Sequence, residues 1–389
     1  MENFQYVNPT KLIFGRNQVN DSLAGEVEAY GTRVLLVYGG GSIKKNGLYE
    51  LVLEQLNLIS NVQIVELSGV EPNPRLSTVN KGIQLIKENQ LDFILAVGGG
   101  SVIDCAKAIS VGAHYDGDVW DFVTGKAAPS SSIPLGTILT MAATGSEMNG
   151  NSVITNWDER DKRAFSSIHT YPKFSILDPQ NTFSIPADQT VYGIVDLMSH
   201  VLEQYFHVSE NAPVQERFGE SILKTTIETA PKLLESPESY AYREVIMLNA
   251  TFALNNMLSM GVKTDWATHM IEHAVSAVHD IPHGGGLAIL FPHWMELVSE
   301  TKPERVAQLG IRVFELDPAN KNTRELAYET IQKLKEFWKT IGAPTKLSDY
   351  GIDNKEIDLM VKRSIVNKTI GNYVPLGENE VRQILERAL

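Results

Sequence analysis

Residues 93–104 read FILAVGGGSVID. Five apolar residues run into three glycines, and a serine and a second apolar stretch follow, with Asp104 one turn in. An apolar run this short that closes on glycine reads as a strand buried on both faces, and the residues after the glycines read as the start of a helix. The same pattern recurs outward from this point. Residues 33–38, RVLLVY, end on Gly39-Gly40-Gly41-Ser42; Val62–Leu67 and Ile133–Thr140 are further runs, the last closing near a turn of small residues. Amphipathic stretches at Lys44–Leu58 and Ser77–Asn89 separate them, and Glu71-Pro72-Asn73-Pro74 marks a passage from strand to helix. Short buried strands alternating with helices imply parallel βαβ units in an open sheet covered on both faces.

The pattern then changes. Ser152–Asn156 and Arg163–Ser167 flank the polar turn Trp157-Asp158-Glu159-Arg160-Asp161, which predicts a hairpin at the sheet edge, and Phe174–Leu177 reads as one more strand. Beyond Pro186 the strand signals stop. Helical patterns follow, broken at Asn211-Ala212-Pro213, Ser236-Pro237, Ile281-Pro282 and Gly342-Ala343-Pro344. The expected organisation is an α/β domain over 1–185, of the form that binds nucleotides, and an all-helical domain over 186–389, with a cofactor on the sheet domain and chemistry expected at the cleft between them.

Composition narrows the field. A chain of 389 residues is long for one core, and a formal net charge of -13 with no basic stripe argues against nucleic-acid binding. No stretch is apolar for long enough to span a bilayer, and Met1–Asn20 lacks the apolar run of a signal peptide. A single cysteine, Cys105, excludes an intramolecular disulfide and a cysteine-based metal site; inside a helix it reads as packing. The expected compartment is a reducing cytoplasm.

Three glycine and hydroxyl turns are candidates for a nucleotide. Gly98-Gly99-Gly100-Ser101 would let a backbone approach a pyrophosphate at a helix start, where unpaired N–H groups and the dipole favour an anion. The competing reading is a tight turn capped by Ser101, with Asp104 capping its own helix. The motif is neither GxGxxG nor a P-loop. Gly39-Gly40-Gly41-Ser42 ends a neighbouring strand in the same way, which strengthens the case for an extended ligand. Thr140–Glu147, TMAATGSE, offers hydroxyls to a phosphate or an amide, or a helix capped by Thr144 or Ser146.

The histidines carry the strongest signal. Of the nine, five fall between His269 and His293. Asp196 and His200 stand four apart in VDLMSHVLE, one turn along a single helix face; His269 and His273 repeat the spacing in ATHMIEHAV; His283 follows Pro282 and precedes Gly284-Gly285-Gly286. Three imidazoles and one carboxylate suit a divalent first-row ion such as Fe²⁺, Zn²⁺ or Mn²⁺. His114, His169 and His207 read as surface or satisfied core groups. Glu203, seven residues after Asp196 on the same face, reads as an exposed or interface carboxylate and is not assigned to the metal.

At this density of spaced residues the chain resembles the iron-containing alcohol dehydrogenase family, in its butanol dehydrogenase and broad aldehyde reductase branch. The resemblance covers nearly the whole chain. It runs from Asn8-Pro9-Thr10-Lys11-Leu12-Ile13-Phe14-Gly15 through Gly98–Asp104 and Leu177-Asp178-Pro179, takes in Pro186, Gly193, Asp196 and Glu203, and ends on Asp265-Trp266-Ala267-Thr268-His269, His273 and His283. It implies a dehydroquinate synthase-like architecture: a Rossmann-like parallel-sheet domain, then an all-helical domain. It implies Asp196, His200, His269 and His283 as metal ligands, with Fe²⁺ favoured and Zn²⁺ the alternative. His273 becomes a nearby proton-transfer histidine. Gly98, Gly99, Gly100, Ser101 and Asp104 become the pyrophosphate and nicotinamide contacts, and Thr140, Thr144 and Ser146 further cofactor contacts. Gly39, Gly40 and Ser42 become the adenosine-ribose turn, and Lys162 a hairpin lysine close to the cofactor.

The expected reaction is hydride transfer between NAD(P)H and small to medium aldehydes or primary alcohols, in a homodimer or larger homo-oligomer. No acidic residue stands in the ribose turn, and Lys44 and Lys45 follow it. A 2′-phosphate would meet cations there, so NADP(H) is expected over NAD(H). Dehydroquinate synthase and glycerol dehydrogenases share the architecture. The ligand set disfavours the synthase, while a polyol substrate (glycerol or propanediol) stays open, as does a non-catalytic metal- or nucleotide-binding scaffold.

Overall fold

The apolar runs become strands, with one addition. A computed structural model describes residues 1–389. Its strands are β1 (Lys11–Phe14), β2 (Arg33–Tyr38), β3 (Gln63–Leu67), β4 (Phe93–Gly98), β5 (Leu135–Leu139), β6 (Asn151–Asn156), β7 (Asp161–Ser166) and β8 (Phe174–Leu177). Six of them form one all-parallel sheet in the order β1-β8-β5-β4-β2-β3. β1 was not expected as a strand; only four residues long, it gains its partner from β8, far along the chain.

Residues Val7–Ile185 and Glu238–Met247 form one compact unit around this sheet. Its helices are α1 (Gln18–Glu28), α2 (Ser42–Lys45), α3 (Leu48–Leu56), α4 (Leu76–Asn89), α5 (Gly100–Gly112) and α6 (Trp120–Val123). The period-two alternation of each strand divides the core. Leu35, Val37, Ile94 and Ala96 pack with Val79 and Ile86 of α4 and Ile103 and Ile109 of α5. Val34, Leu36, Phe93, Leu95 and Val97 pack with Leu23 and Val27 of α1 and Val52 and Leu56 of α3. β2 and β4 therefore bury both faces, as their unbroken apolar runs require.

β6 and β7 pair antiparallel in a sheet of their own rather than extending the main edge. Asp104 explains this placement: its carboxylate accepts the Val153 N–H at 3.0 Å, and Ser152 Oγ donates to the Asp104 carbonyl at 2.8 Å, so the hairpin packs on α5. A single bridge, Arg75 to Thr155, adds to this anchor.

The second unit comprises Met1–Tyr6, Pro186–Pro237 and Leu248–Leu389. Its helices are α7 (Ala187–Tyr205), α8 (Pro213–Glu235), the second half of α9 (Tyr240–Ala253), α10 (Ala267–His279), α11 (His283–Ser299), α12 (Glu304–Arg312), α13 (Thr323–Thr340), α14 (Ile357–Ser364) and α15 (Glu378–Ala388). Pro213 occupies the first turn of α8, and Pro282 immediately precedes α11, the positions proline tolerates. Its centre is aromatic: Trp294 lies 5.1 Å from Phe206 and 5.4 Å from Phe291 between ring centroids, and Phe206 lies 5.6 Å from Tyr373. No helix is long and apolar enough to cross a membrane.

The two units are not continuous in sequence, unlike the single division at 185/186 read from the strand signals. The N-terminal hexapeptide joins the helical unit, where Glu2 N–H donates to Gly261 O at 2.9 Å. Glu238–Met247 joins the sheet unit, where the Arg16 guanidinium lies 3.6 Å from the centroid of the Tyr240 ring and Met247 enters the buried core.

Candidate metal and cofactor sites

α7 is buried along most of its length, and it carries Asp196, His200 and Glu203 on one face. α10 brings His269 and α11 brings His283 to the same place. Three imidazole nitrogens converge on one carboxylate oxygen: from Asp196 Oδ1, the Nε2 of His200 is 3.5 Å away, that of His283 3.6 Å and that of His269 4.0 Å. The approach of α11 depends on glycine. A Cβ on Gly284 would stand 2.1 Å from the Tyr192 carbonyl oxygen of α7, so only the bare backbone lets His283 reach Asp196.

Two buried carboxylates fix the rings. Glu203 Oε1 accepts from His269 Nδ1 at 2.9 Å and from the His269 backbone N–H at 2.9 Å, while Oε2 accepts the Trp266 N–H at 2.7 Å. Glu203 is thus fully buried within the helical unit, whereas the sequence alone reads it as an exposed or interface carboxylate. It caps the start of α10 from another helix and turns the His269 Nε2 toward Asp196. Trp266, with a left-handed φ of 77°, makes that close approach possible, and such strain in a bulky residue clusters at functional sites. Glu272 repeats the arrangement on His283 Nδ1, and its other oxygen accepts from Ser276. Sequence reading missed Glu272, although its place three residues after His269 was a usable signal.

Two sets of donors are close enough for an ion: Asp196, His200 and His269, and Glu272, His273 and His283. The chemistry separates them. Glu272 already engages His283 Nδ1 and Ser276 with its two oxygens, the orienting role that carboxylates take behind metal-bound imidazoles. His269 Nε2 is buried with no hydrogen-bond partner, a cost that an ion would relieve. One carboxylate and three imidazoles aimed at one point fit a divalent first-row ion. His273 is half-buried, its ring 5.4 Å from His283 and 6.4 Å from His269 between centroids.

In the sheet unit β2 and β4 are neighbours, so the two glycine turns that end them lie side by side. Gly39, Gly40 and Ser42 follow β2; Gly40 and Ser42 are exposed. Gly98, Gly99, Gly100 and Ser101 join β4 to α5. A Cβ on Gly100 would stand 2.4 Å from the Thr144 side chain, so this glycine serves contact between two turns of the protein itself. Ser101 lies inside the first turn of α5 and donates to Pro72 O, so it is not the cap. Thr140 N–H donates to Gly98 O at 3.0 Å, and Thr144 Oγ1 accepts the Ser146 N–H at 3.1 Å, a local capping role.

Asp104 and Ser146 are turned inward. Ser146 Oγ donates to Asp104 Oδ1 at 2.5 Å, and both residues are buried. Between them stands a residue the sequence reading passed over. Lys107 is fully buried, and its Nζ donates to Ser146 Oγ at 2.8 Å, Asn149 Oδ1 at 3.1 Å and Asn151 O at 2.8 Å. Burial pushes its ammonium down to about 8 and pushes the Asp104 carboxyl up, while their mutual attraction opposes both shifts. Lys162, on β7, is buried and within electrostatic reach of Asp104. Cys105 lies in the core, as read.

Residues 9–179 match the model of the iron-containing alcohol dehydrogenases, and residues 190–389 match that family's C-terminal domain. The chain belongs to the iron-containing alcohol dehydrogenase family. Within it, the chain is 56% identical over 389 residues to the probable NADH-dependent butanol dehydrogenase 1 of Bacillus subtilis, covering all of both chains. It is 39% identical over 368 residues to the NADPH-dependent aldehyde reductase YqhD of Escherichia coli, covering 93% of each. Among solved structures, the NADH-dependent butanol dehydrogenase A of Thermotoga maritima superposes with a TM-score of 0.95 at 40% identity, covering 100% of this chain and 99% of that one. This iron-containing alcohol dehydrogenase therefore stands in the butanol dehydrogenase and aldehyde reductase branch, with the dehydroquinate synthase-like fold expected from its residues.

Proposed function

We propose that the chain is an NAD(P)-dependent alcohol dehydrogenase and aldehyde reductase acting on small to medium aldehydes and the matching primary alcohols. The convergence of three imidazole nitrogens on Asp196 Oδ1, at 3.5 to 4.0 Å, is the observation that carries this reading. Asp196, His200, His269 and His283 hold a divalent ion, Fe²⁺ in preference to Zn²⁺. When bound, that ion supplies Lewis acidity toward the substrate oxygen, and the dinucleotide supplies or accepts the hydride. Glu203 and Glu272 occupy the Nδ1 of His269 and of His283, so that the Nε2 of these two rings stays a lone-pair donor. His273, half-buried beside this set, passes the substrate oxygen's proton to or from solvent through its imidazole nitrogens.

In the sheet unit, Gly98, Gly99, Gly100 and Ser101 take the pyrophosphate at the start of α5. Gly39, Gly40 and Ser42 take the adenosine ribose, and Thr140, Thr144 and Lys162 lie toward the nicotinamide half. Asp104 and Ser146 serve these turns from behind, through the hydrogen bonds that join α5, the hairpin and Lys107. The acidic chain with its one buried cysteine suits the cytoplasm, and the homo-oligomer that the family resemblance implies is sized by light scattering.

The test is oxidation of NADH and of NADPH with butyraldehyde, before and after chelation and then with Fe²⁺ or Zn²⁺ restored. Turnover that vanishes on chelation and returns with metal supports the reading. Absence of turnover across aldehydes with either cofactor and either ion overturns it and favours a non-catalytic scaffold.

A further inference from the structure

The expectation of NADP(H) rested on a ribose turn without an acidic residue and on two cations beside it, Lys44 and Lys45. The structure gives the Lys44 ammonium other company. Tyr38 is the last residue of β2, directly before Gly39, and its hydroxyl donates to Glu66 Oε2 at 2.5 Å. Tyr49, on α3, donates to Glu66 Oε1 at 2.7 Å. Both oxygens of Glu66 are thus fixed by phenols, and Lys44 Nζ lies 4.0 Å from Oε2. The same ammonium stands 4.3 Å from the centroid of the Tyr49 ring and 5.1 Å from that of Tyr38, inside the range of cation–π attraction. β3 is the outermost strand of the sheet and pairs with β2, so Glu66 and the ribose turn share one end of one strand pair.

This cluster is built rather than accidental. Two tyrosines from different elements grip the carboxylate by donation, and these bonds, that of Tyr38 foremost, hold its pKa below the usual carboxylate range against the opposing effect of burial. The lowered pKa favours the charged carboxylate, which stands 4.0 Å from the Lys44 ammonium. Of the two lysines that follow the turn, only Lys45 is left outside the cluster.

Resting on the cofactor reading above, we infer that Glu66, braced by Tyr38 and Tyr49, sets cofactor choice by holding Lys44 as a neutral pair beside the Gly39–Ser42 turn, so that the unphosphorylated ribose of NAD(H) is preferred. A 2′-phosphate brings close to two negative charges. It meets a carboxylate held in place by two phenols, and it recruits Lys44 only by competing with that carboxylate. An unphosphorylated ribose pays neither penalty. Specificity of this kind comes from the repulsive element, here Glu66, as much as from any attractive one.

The experiment is equilibrium binding on the full chain. Nicotinamide fluorescence reads NADH and NADPH, and calorimetry with 5′-AMP and 2′,5′-ADP isolates the adenosine end without need of metal or turnover. The wild type is expected to bind NADH about tenfold tighter than NADPH, or more. Glu66→Gln is expected to move the NADPH-to-NADH ratio about tenfold toward NADPH, with 2′,5′-ADP gaining over 5′-AMP in step. Adding Lys44→Ala to that variant is expected to remove the gain. If Glu66→Gln does not fold, Tyr49→Phe, which strips one phenol from the carboxylate, is read for a smaller shift of the same sign. A wild type that prefers NADPH, or a ratio that Glu66→Gln and Tyr49→Phe leave unmoved, overturns the inference while the cofactor reading stands. Failure of both dinucleotides and both fragments to bind overturns the cofactor reading, and the inference falls with it.

Discussion

His269 Nδ1 and Glu203 Oε1 stand 2.9 Å apart, and that same oxygen accepts the backbone N–H of His269. One atom therefore fixes both the ring and the helix that carries it. The Nδ1 proton is committed to Glu203, so the Nε2 turned toward Asp196 is left with its lone pair. Glu203→Gln puts an amide where a full carboxylate is needed, since its –NH₂ would face the Trp266 N–H or the His269 donors. Metal affinity is expected to fall about 10- to 100-fold, the usual cost of losing such an orienting partner. Competition against a calibrated chelator, with circular dichroism to check the fold, measures it. An unchanged metal affinity would show that Glu203 only caps α10.

The ligand set makes a prediction that separates neighbours on one helix. His269→Ala removes the buried Nε2 that faces Asp196, so the protein is expected to lose metal and nearly all turnover. His273→Ala is expected to keep metal, because no other group must move to replace it, and to slow turnover or distort its pH profile, with loss of order 10²-fold. Metal analysis of the two purified variants decides the matter. If His273→Ala loses the ion while His283→Ala keeps it, then His273 and not His283 is the ligand, and the assignment here is wrong.

These residues also show where the sequence could be read and where it could not. Strands buried on both faces announce themselves as unbroken apolar runs, so β2, β4 and β8 lie where FILAV and its counterparts placed them. β1 did not announce itself, because four residues at an edge owe their pairing to β8 across most of the sheet unit. The i,i+4 pairs of α7 and α10 were legible because helical periodicity alone puts such residues on one face. The Glu203 burial was not, although it shares that periodicity. A carboxylate is buried only when donors from elsewhere meet it, and those donors are the N–H groups of Trp266 and His269, some sixty residues on. The pairing of Lys44 with Glu66 was hidden for the same reason, since β3 reaches β2 only through the sheet.

Lys107 tests the framework behind the glycine turns. Its ammonium joins Ser146, Asn149 and Asn151 in a buried setting, and the charges of Asp104 and then Glu147 favour its protonated form. Lys107→Met removes the charge, leaves three acceptors without their shared donor and takes away one of the charges that favour the Asp104 carboxylate, so a loss of about 1–3 kcal/mol is expected. Asp104→Asn in the same chain removes the stranded charge and is expected to recover part of that loss. The two substitutions should therefore be clearly non-additive in urea unfolding. Additive losses would mean that the two groups do not sense each other.

The last prediction concerns acid. His207 is buried, and its Nδ1 lies 3.2 Å from Arg305 Nη2, which requires a lone pair on that nitrogen. Burial first and the Arg305 charge second push its pKa from 6.5 down to about 4, against the opposing pull of Glu216, whose Oε1 is 3.5 Å from Nε2. In the unfolded chain the same imidazole takes up its proton near 6.5. Between these two values the unfolded state holds more protons than the folded one, so stability falls as the pH is lowered through that window. The contribution is complete above about pH 6.5, is lost progressively toward pH 4, and is of order 2–3 kcal/mol at most. Glu216 itself is pushed up by burial, but hydrogen bonds from Arg305, Gln308 and Arg312 outweigh that and hold its carboxyl below the usual range, so its own titration comes later in the acid limb. Urea midpoints at several pH values between 7.5 and 4.5 should decline in the wild type. His207→Gln should be less stable at neutral pH, having lost the buried ring, but its midpoint should depend less on pH across the window. An equal slope in the two proteins would assign the acid sensitivity to other groups.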